Sequence, residues 1–287
     1  MISVVIAAHN ARDSIRECLT ALLAQAEPDV EIVVVDNSTD RTGDIVRAEF
    51  SSVAVISASP GALVPHLWAA GIRHSAGEIV ALTTAHCVPR HDWLHQIRAA
   101  HRATVPAVGG AIENDEAAGP VDWAIYFCRY SRFMLPFADG YSSEIPGDNA
   151  SYKRAAIDRH ARVWQDGFWE PAVHAALLHE GHRLLLSSSM VVYHRKSYGF
   201  WGFLRQRFQH GMQFARWHAS GLTPGRRVLQ VVRAPAVPPV LLARIGKQVW
   251  RKRRHQGKFL LALPLLIAFL LAWALGEVVG YLQGPTP

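Results

Sequence analysis

Thr84-Ala85-His86 follows, one residue on, a short apolar run, Ile79-Val80-Ala81-Leu82, with Gly77 before it and Pro89 after it. The run reads as a buried strand, and Pro89 is expected to stop any continuation. In an open α/β sheet, ligands bind beyond the carboxyl ends of the strands. An imidazole among hydroxyls at such an end could hold an ion or a phosphate. The plainer alternative is that the hydroxyls satisfy local backbone groups. A second polar strand end is Asp36, after Glu31-Ile-Val-Val-Val35. A carboxylate there could accept hydrogen bonds from a nucleobase imide or a ribose hydroxyl; its alternative is a helix N-cap or an Asx-turn. A third is His194, after Ser189-Met-Val-Val-Tyr193. A lone histidine at a strand end is more often structural. With His86 it becomes a metal candidate, although two imidazoles make an incomplete site.

These ends must be held by a sheet. Ser3-Val-Val-Ile-Ala7 is a first buried strand, ending at His9-Asn10. Ile15, Leu19, Leu22 and Leu23 recur at helical spacing, which predicts a helix over about 12–25. Strand 31–35, a helix over 41–50, strand 53–56, a helix over 63–75 and strand 79–82 follow. Strand–helix alternation at this pace means a parallel sheet with right-handed crossovers. Further on, 91–103 reads as a helix, 107–112 as a strand, and a helix follows Pro171 through Leu177 and Leu178 to Gly181. A dinucleotide fold would need a Gly-rich turn after its first strand, and Ala7-Ala-His-Asn10 has no glycine.

Composition narrows the classes. The 287 residues suit one sizeable α/β domain with appendages, half the residues are apolar, and the net charge is +7. Such charge could suggest nucleic acid, but six Lys or Arg and no acid fall between Lys247 and Lys258, just before an apolar run. That placement reads as a cytoplasmic membrane flank rather than a nucleic-acid face. Cys18, Cys87 and Cys128 have no CxxC spacing, so neither a disulfide framework nor a zinc site is implied. The N-terminus enters a strand at once, so no cleaved signal peptide is expected.

Three stretches, Ser3–Asn10, Glu31-Ile-Val-Val-Val-Asp-Asn-Ser-Thr-Asp-Arg-Thr42 and Gly77–Ala81, resemble the opening of family 2 glycosyltransferases. The resemblance covers about residues 1–195. It implies an α/β fold of GT-A type, a nucleotide-binding sandwich with a mostly parallel central sheet, and an inverting enzyme using a nucleotide-sugar donor. It implies donor contacts from Ala7, His9, Asn10 and Asp36, with Asp36 on the nucleobase. The family's DxD motif, which positions ribose and a divalent metal, falls on Thr84-Ala85-His86. Both acids are gone, and with them the usual hard-oxygen ligands of Mn²⁺ or Mg²⁺; Thr84 and His86 are what this chain offers the donor. His194 matches a family histidine near metal and pyrophosphate.

Gly147-Asp-Asn-Ala150 resembles the family's return to the sheet, which implies Asp148 and Asn149 at the acceptor side, with an ordinary turn as their alternative. Aligned back from Gly181, the family's Glu-Asp pair falls on Trp169-Glu170. The resemblance therefore makes Glu170 the catalytic base, with Trp169 beside it and His174, one turn on, as acceptor-side residues. Because Pro171 suits a first helical position, Glu170 could instead be a cap-like residue. Arg205 and Arg207, in a basic helix after the domain, would neutralise the departing diphosphate or else snorkel at an interface.

The aromatic-rich stretch 120–145 suits an acceptor wall, a membrane-facing loop or plain core. Residues 196–246 read as basic, interfacial helices, since Val228–Ile245 is broken by Arg233, Pro235, Pro238, Pro239 and Arg244. Phe259–Gly276 has no charge, and 259–282 is expected to be one transmembrane helix, with a two-segment hairpin as the alternative. The whole reads as a glycosyltransferase at the cytoplasmic face of a cell membrane, with a lipid or glycan acceptor. The other reading is an inactive relative serving as a nucleotide- or membrane-binding scaffold.

Overall fold

In the computed structural model, which describes residues 1–25, 28–195 and 199–285, the chain divides into two compact units. The first comprises Met1–Asp115 with Phe133–Lys196, and the second Glu116–Arg132 with Ser197–Pro287.

The first unit begins with β1 (Ile2–Ala8), α1 (Ile15–Leu23), β2 (Val30–Asp36), α2 (Thr42–Glu49), β3 (Ala54–Ser57), α3 (Val64–Arg73) and β4 (Ile79–Thr84). All seven residues of β1 are buried, because it lies between β2 and β4 and is covered on both faces. Helix α3 packs over it so closely that a methyl added at Gly71 would overlap Val5. Strands β1 to β4 pair in parallel, as the alternating pattern predicts.

Three residues after β4 the chain re-enters the sheet as β5 (Cys87–Pro89), paired antiparallel with the last strand. The expectation that Pro89 ends the segment needs amending: β5 is an edge strand, where a residue without N–H costs no ladder bond. After α4 (Trp93–Ala100) and β6 (Ala107–Asn114), the chain leaves for the second unit through α5 (Pro120–Tyr130). It returns as β7 (Gly140–Ser142), β8 (Asn149–Lys153), α6 (Arg154–Asp158), α7 (Ala161–Trp164), α8 (Glu170–His179) and β9 (Leu184–His194). The sheet order is β3-β2-β1-β4-β8-β6-β9-β5, with β7 also on β9. Strand β8 is antiparallel to both neighbours, while β6 and β9 are parallel.

One irregularity shapes the sheet's end. Between Gly110 and Ala111 the register with β9 jumps from Ser187 to Val191, leaving three bulged residues. Their backbone groups find side chains instead. Asp139 Oδ1 accepts the Ser188 N–H at 2.6 Å, Arg90 donates to the Ser189 carbonyl at 2.6 Å, and Asn149 Nδ2 donates to that of Met190 at 2.9 Å.

The second unit is helical. Helix α9 (Phe200–Ala219) is followed by α10 (Pro224–Arg233), α11 (Val237–Lys252) and α12 (Gln256–Gln283). Much of the aromatic-rich stretch forms α5, whose Phe127 ring meets Phe259 of α12 at 5.4 Å. Among the described residues, two stretches, Pro224–Lys252 and Gln256–Gln283, are long and apolar enough to cross a membrane, where one was expected.

Candidate functional site

The register places most of the anticipated residues of the first unit along one edge of the sheet. Ala8 pairs with Asp36, Ala7 with Thr84, and Thr83 with Asn149. His194, at the end of β9, pairs with both Asn114 and Cys87. This is the carboxyl edge of the parallel strands, where open α/β sheets place ligands.

At one end of the edge, the turn after β1 interlocks with the loop after β2. Asn10 adopts a left-handed backbone (φ 47°), which asparagine tolerates. Its N–H donates to Ser38 Oγ at 2.8 Å, and its Oδ1 accepts the Thr39 N–H at 2.9 Å. His9 Nδ1 lies 2.9 Å from Asn37 Oδ1, and Asn37 Nδ2 donates to the Ala62 carbonyl at 2.6 Å. Asp36 accepts the Ser38 N–H on Oδ1 at 3.1 Å in an Asx-turn, and its Oδ2 rests on Gly43, where a methyl would overlap it. Burial opposes ionisation of Asp40, but hydrogen bonds from the Thr42 hydroxyl and the N–H groups of Arg12 and Thr42 outweigh it. They hold this carboxyl below the usual range. Asn37 and Asp40 thus brace the loop. Both belong to the stretch that carries the family resemblance, and their type alone could have flagged them.

Around β4 and β5, Thr84 Oγ1 lies 3.3 Å from His86 Nε2 and donates to Cys87 Sγ at 3.3 Å. The His86 and His194 rings meet edge to face at 5.0 Å, so the two anticipated imidazoles do come together. Both are buried. Among the described residues no three His, Cys, Asp or Glu side chains converge as a metal cage. Mn²⁺ and Mg²⁺ prefer oxygen ligands, and residues 84–86 supply no carboxylate. This donor set does not fit either ion held by the protein alone.

On the other side of β4, Glu170 begins α8, with Trp169 as N-cap and Pro171 second, one position later than the proline suggested. The half-buried Glu170 side chain lies directly on Gly147, and a methyl there would overlap Oε1, Cδ and Cγ. The predicted base and the Gly147-Asp148 turn are thereby in contact. Trp169 is 45% exposed and meets His66 edge-on at 6.0 Å. Asp148 is buried, and its carbonyl accepts the Thr83 hydroxyl at 3.0 Å.

Two acceptor-side expectations are corrected. Asn149 is fully buried; its Oδ1 accepts the Trp93 indole N–H at 2.8 Å, and its Nδ2 serves the carbonyls of Ala111 and Met190. It fastens the bulge and presents nothing to an acceptor. His174 is also buried, with Nε2 2.9 Å from the Tyr152 hydroxyl. Burial pushes its imidazole down to about 4, so it is neutral at physiological pH. The Tyr152 phenol is raised well above its ordinary value, by burial first and then by the negative charge of Glu170. Arg205 and Arg207 lie on α9 in the second unit; Arg205 is exposed, and Arg207 stacks 4.2 Å over the Trp273 ring.

Comparison with known proteins adds three likenesses. Glycosyltransferase AglE of Haloferax volcanii is 31% identical over 122 residues, which is 39% of this chain and 39% of that protein. The chain thus spans about two fifths of the curated relative it matches. Mannosyltransferase PcManGT from Pyrobaculum calidifontis, solved in complex with GDP-Man and Mn²⁺, superposes with a TM-score of 0.59 at 19% identity. The match covers 96% of this chain and 86% of that one. S. aureus TarS 1-349 in complex with UDP-GlcNAc gives 0.51 at 15% identity, covering 99% and 92%. These likenesses show the fold of this chain, a mostly parallel α/β sheet of GT-A type followed by C-terminal helices. Residues 3–160, more than half of the chain, match the description "Glycosyl transferase family 2", and to that family the chain belongs.

Proposed function

We propose that the protein is an inverting glycosyltransferase. It moves a sugar from a nucleotide-sugar to a hydroxyl of a lipid, lipid-linked or other glycan acceptor at the cytoplasmic face of a membrane, to which its C-terminal helices hold it. The observation that carries the reading is Glu170, a half-buried carboxylate held on Gly147 beside Asp148. The acceptor oxygen forms a bond to the anomeric carbon as the bond to the donor phosphate breaks. The hydroxyl proton passes to Glu170, and the nucleoside diphosphate leaves. Asp36, with the turn Ala7–Asn10, holds the nucleotide, while Thr84, His86 and His194 face the diphosphate. Trp169 offers an exposed ring on which a sugar can stack.

One observation favours a nucleotide-binding scaffold without turnover: the absence of both acids from residues 84–86. Turnover separates the two readings. The full chain, incubated with membrane lipid extract and a panel of UDP- and GDP-sugars, should release a nucleoside diphosphate. It should also form a glycoside of anomeric configuration opposite to the donor's, read by NMR. Donor binding without release across the panel would favour the scaffold.

A further inference from the structure

We propose that the C-terminal helices lie in the plane of one leaflet of an anionic bilayer and that none of them crosses it. This rests on the membrane reading above and replaces the span expected from the sequence. Helix α12 has two unlike sides. Along one, Leu260, Leu261, Ile267, Leu271, Leu275 and Leu282 are exposed at helical spacing. This stripe is about 33 Å long at 1.5 Å per residue. The other side is fastened to α9. The Phe203 and Phe269 rings meet at 4.8 Å, Arg207 stacks on Trp273, and His218 Nδ1 lies 2.7 Å from the Tyr281 hydroxyl. Gly276 and Gly280 admit the backbone of α9 so closely that a methyl at either would overlap the Phe208 or the Met212 carbonyl. The helices therefore run side by side in the same direction, α9 alongside residues 269–281.

Helix α9 cannot accompany a span. Along its outer side Trp201, Arg205, Gln209 and Gln213 are exposed, one turn apart, and the last three are polar. The charge-free stretch 259–276 would have to fill the hydrocarbon, which is about 30 Å thick. The α9 residues beside its second half would then put a guanidinium and amides against acyl chains, where polar groups are costly. Lying in the plane resolves this, with the leucine stripe entering roughly 5–10 Å and the polar stripe in water. The basic cluster running from the end of α11 into the start of α12 selects anionic headgroups. Lys247, Arg251 and Arg253 are exposed, while the ammonium groups of Lys252 and Lys258 are bonded to carbonyls of Arg132 and Glu116. Helix α10 continues the pattern, with Val228, Leu229 and Val232 exposed beside Arg226 and Arg233.

The test is accessibility in sealed membrane vesicles from cells making the full chain, with Cys128→Ser as background and a membrane-impermeant maleimide as probe. Asp13→Cys marks the side of the sheet domain. Arg253→Cys and Pro285→Cys are expected to label together with that marker, before detergent and to the same extent, while Leu271→Cys is protected until detergent is added. Purified full chain should float with vesicles of equal parts phosphatidylcholine and phosphatidylglycerol, and at least tenfold less with phosphatidylcholine alone. Pro285→Cys labelled from the opposite side would establish a single crossing, and Arg253→Cys labelled from the opposite side a hairpin. Open labelling of Leu271→Cys, or equal flotation without the anionic lipid, would also overturn the inference. Recovery of the full chain in the soluble fraction would instead sink the membrane reading beneath it.

Discussion

Gly147→Ala isolates the placement of Glu170 from everything else at the site. Gly147 is not among the glycines with a left-handed backbone, so alanine fits its conformation without strain. The three atoms nearest the added methyl all belong to the Glu170 side chain: Oε1, Cδ and Cγ. That side chain starts a helix and is half exposed, so it can swing away. An off-rotamer glutamate costs about 0.5–1.5 kcal/mol, and alanine returns about 0.4–1 kcal/mol by restricting the unfolded chain. Net stability should move by less than about 1 kcal/mol. Catalysis should not be so tolerant, since a misplacement of about 1 Å can cost roughly 10²-fold. Single-turnover release of nucleoside diphosphate, donor affinity and melting temperature on one preparation give the three readings. The expected pattern is a rate down about 10²-fold with affinity and stability nearly unchanged. A rate within about threefold of wild type would refute the idea that Gly147 positions a base; the factor is only about 0.6 kcal/mol of barrier.

Asn149→Ala should act on folding, because it strips partners from the Trp93 N–H and from the Ala111 and Met190 carbonyls. A loss of about 3 kcal/mol or more is expected in urea denaturation, and a change below about 0.5 kcal/mol would contradict the bulge-fastening role. His86→Ala should weaken nucleotide-sugar binding by about tenfold, the worth of one hydrogen bond, equally with Mn²⁺ and with EDTA; a defect seen only with Mn²⁺ would mean an ion is bound there. Burial takes the His101 and His174 imidazoles from 6.5 down to about 4, so between these values the unfolded chain binds more protons than the folded one. Their contribution is complete above pH 6.5 and is lost as pH falls through about 4, at most about 3 kcal/mol each. A stability curve flat across that window, measured by urea titration at several pH values, would contradict it.

Much of the fold was legible because the parallel strands are buried on both faces and read as unbroken apolar runs, as in Val4-Val5-Ile6 and Ile32–Val35. The carboxyl-edge residues could be found for the same reason, since each polar strand end follows such a run. Strand β5 was not legible. Three residues closed by a proline carry no periodicity, and pairing with the end of β9 decides their state. Asn149 and His174 misled because their types suit a polar site, and burial beneath it leaves no local signal. The helix α5 looked like part of the sheet domain by its place in the chain, whereas its aromatic rings pack with α12. Nothing in the spacing of residues 116–132 announces a partner more than a hundred positions away.

In the proposed reaction Glu170 takes the acceptor proton, and Glu170→Gln tests that role most directly. The amide keeps the side chain's size and much of its hydrogen bonding but cannot accept the proton. Positioned proton transfer is worth about 10²- to 10⁴-fold, so single-turnover transfer should fall by at least that order, with donor affinity and melting temperature unchanged. If Glu170 instead only stabilises the start of α8, stability should drop by about 0.5–2 kcal/mol while turnover survives. A stable Glu170→Gln protein that transfers sugar at the wild-type rate would contradict the account.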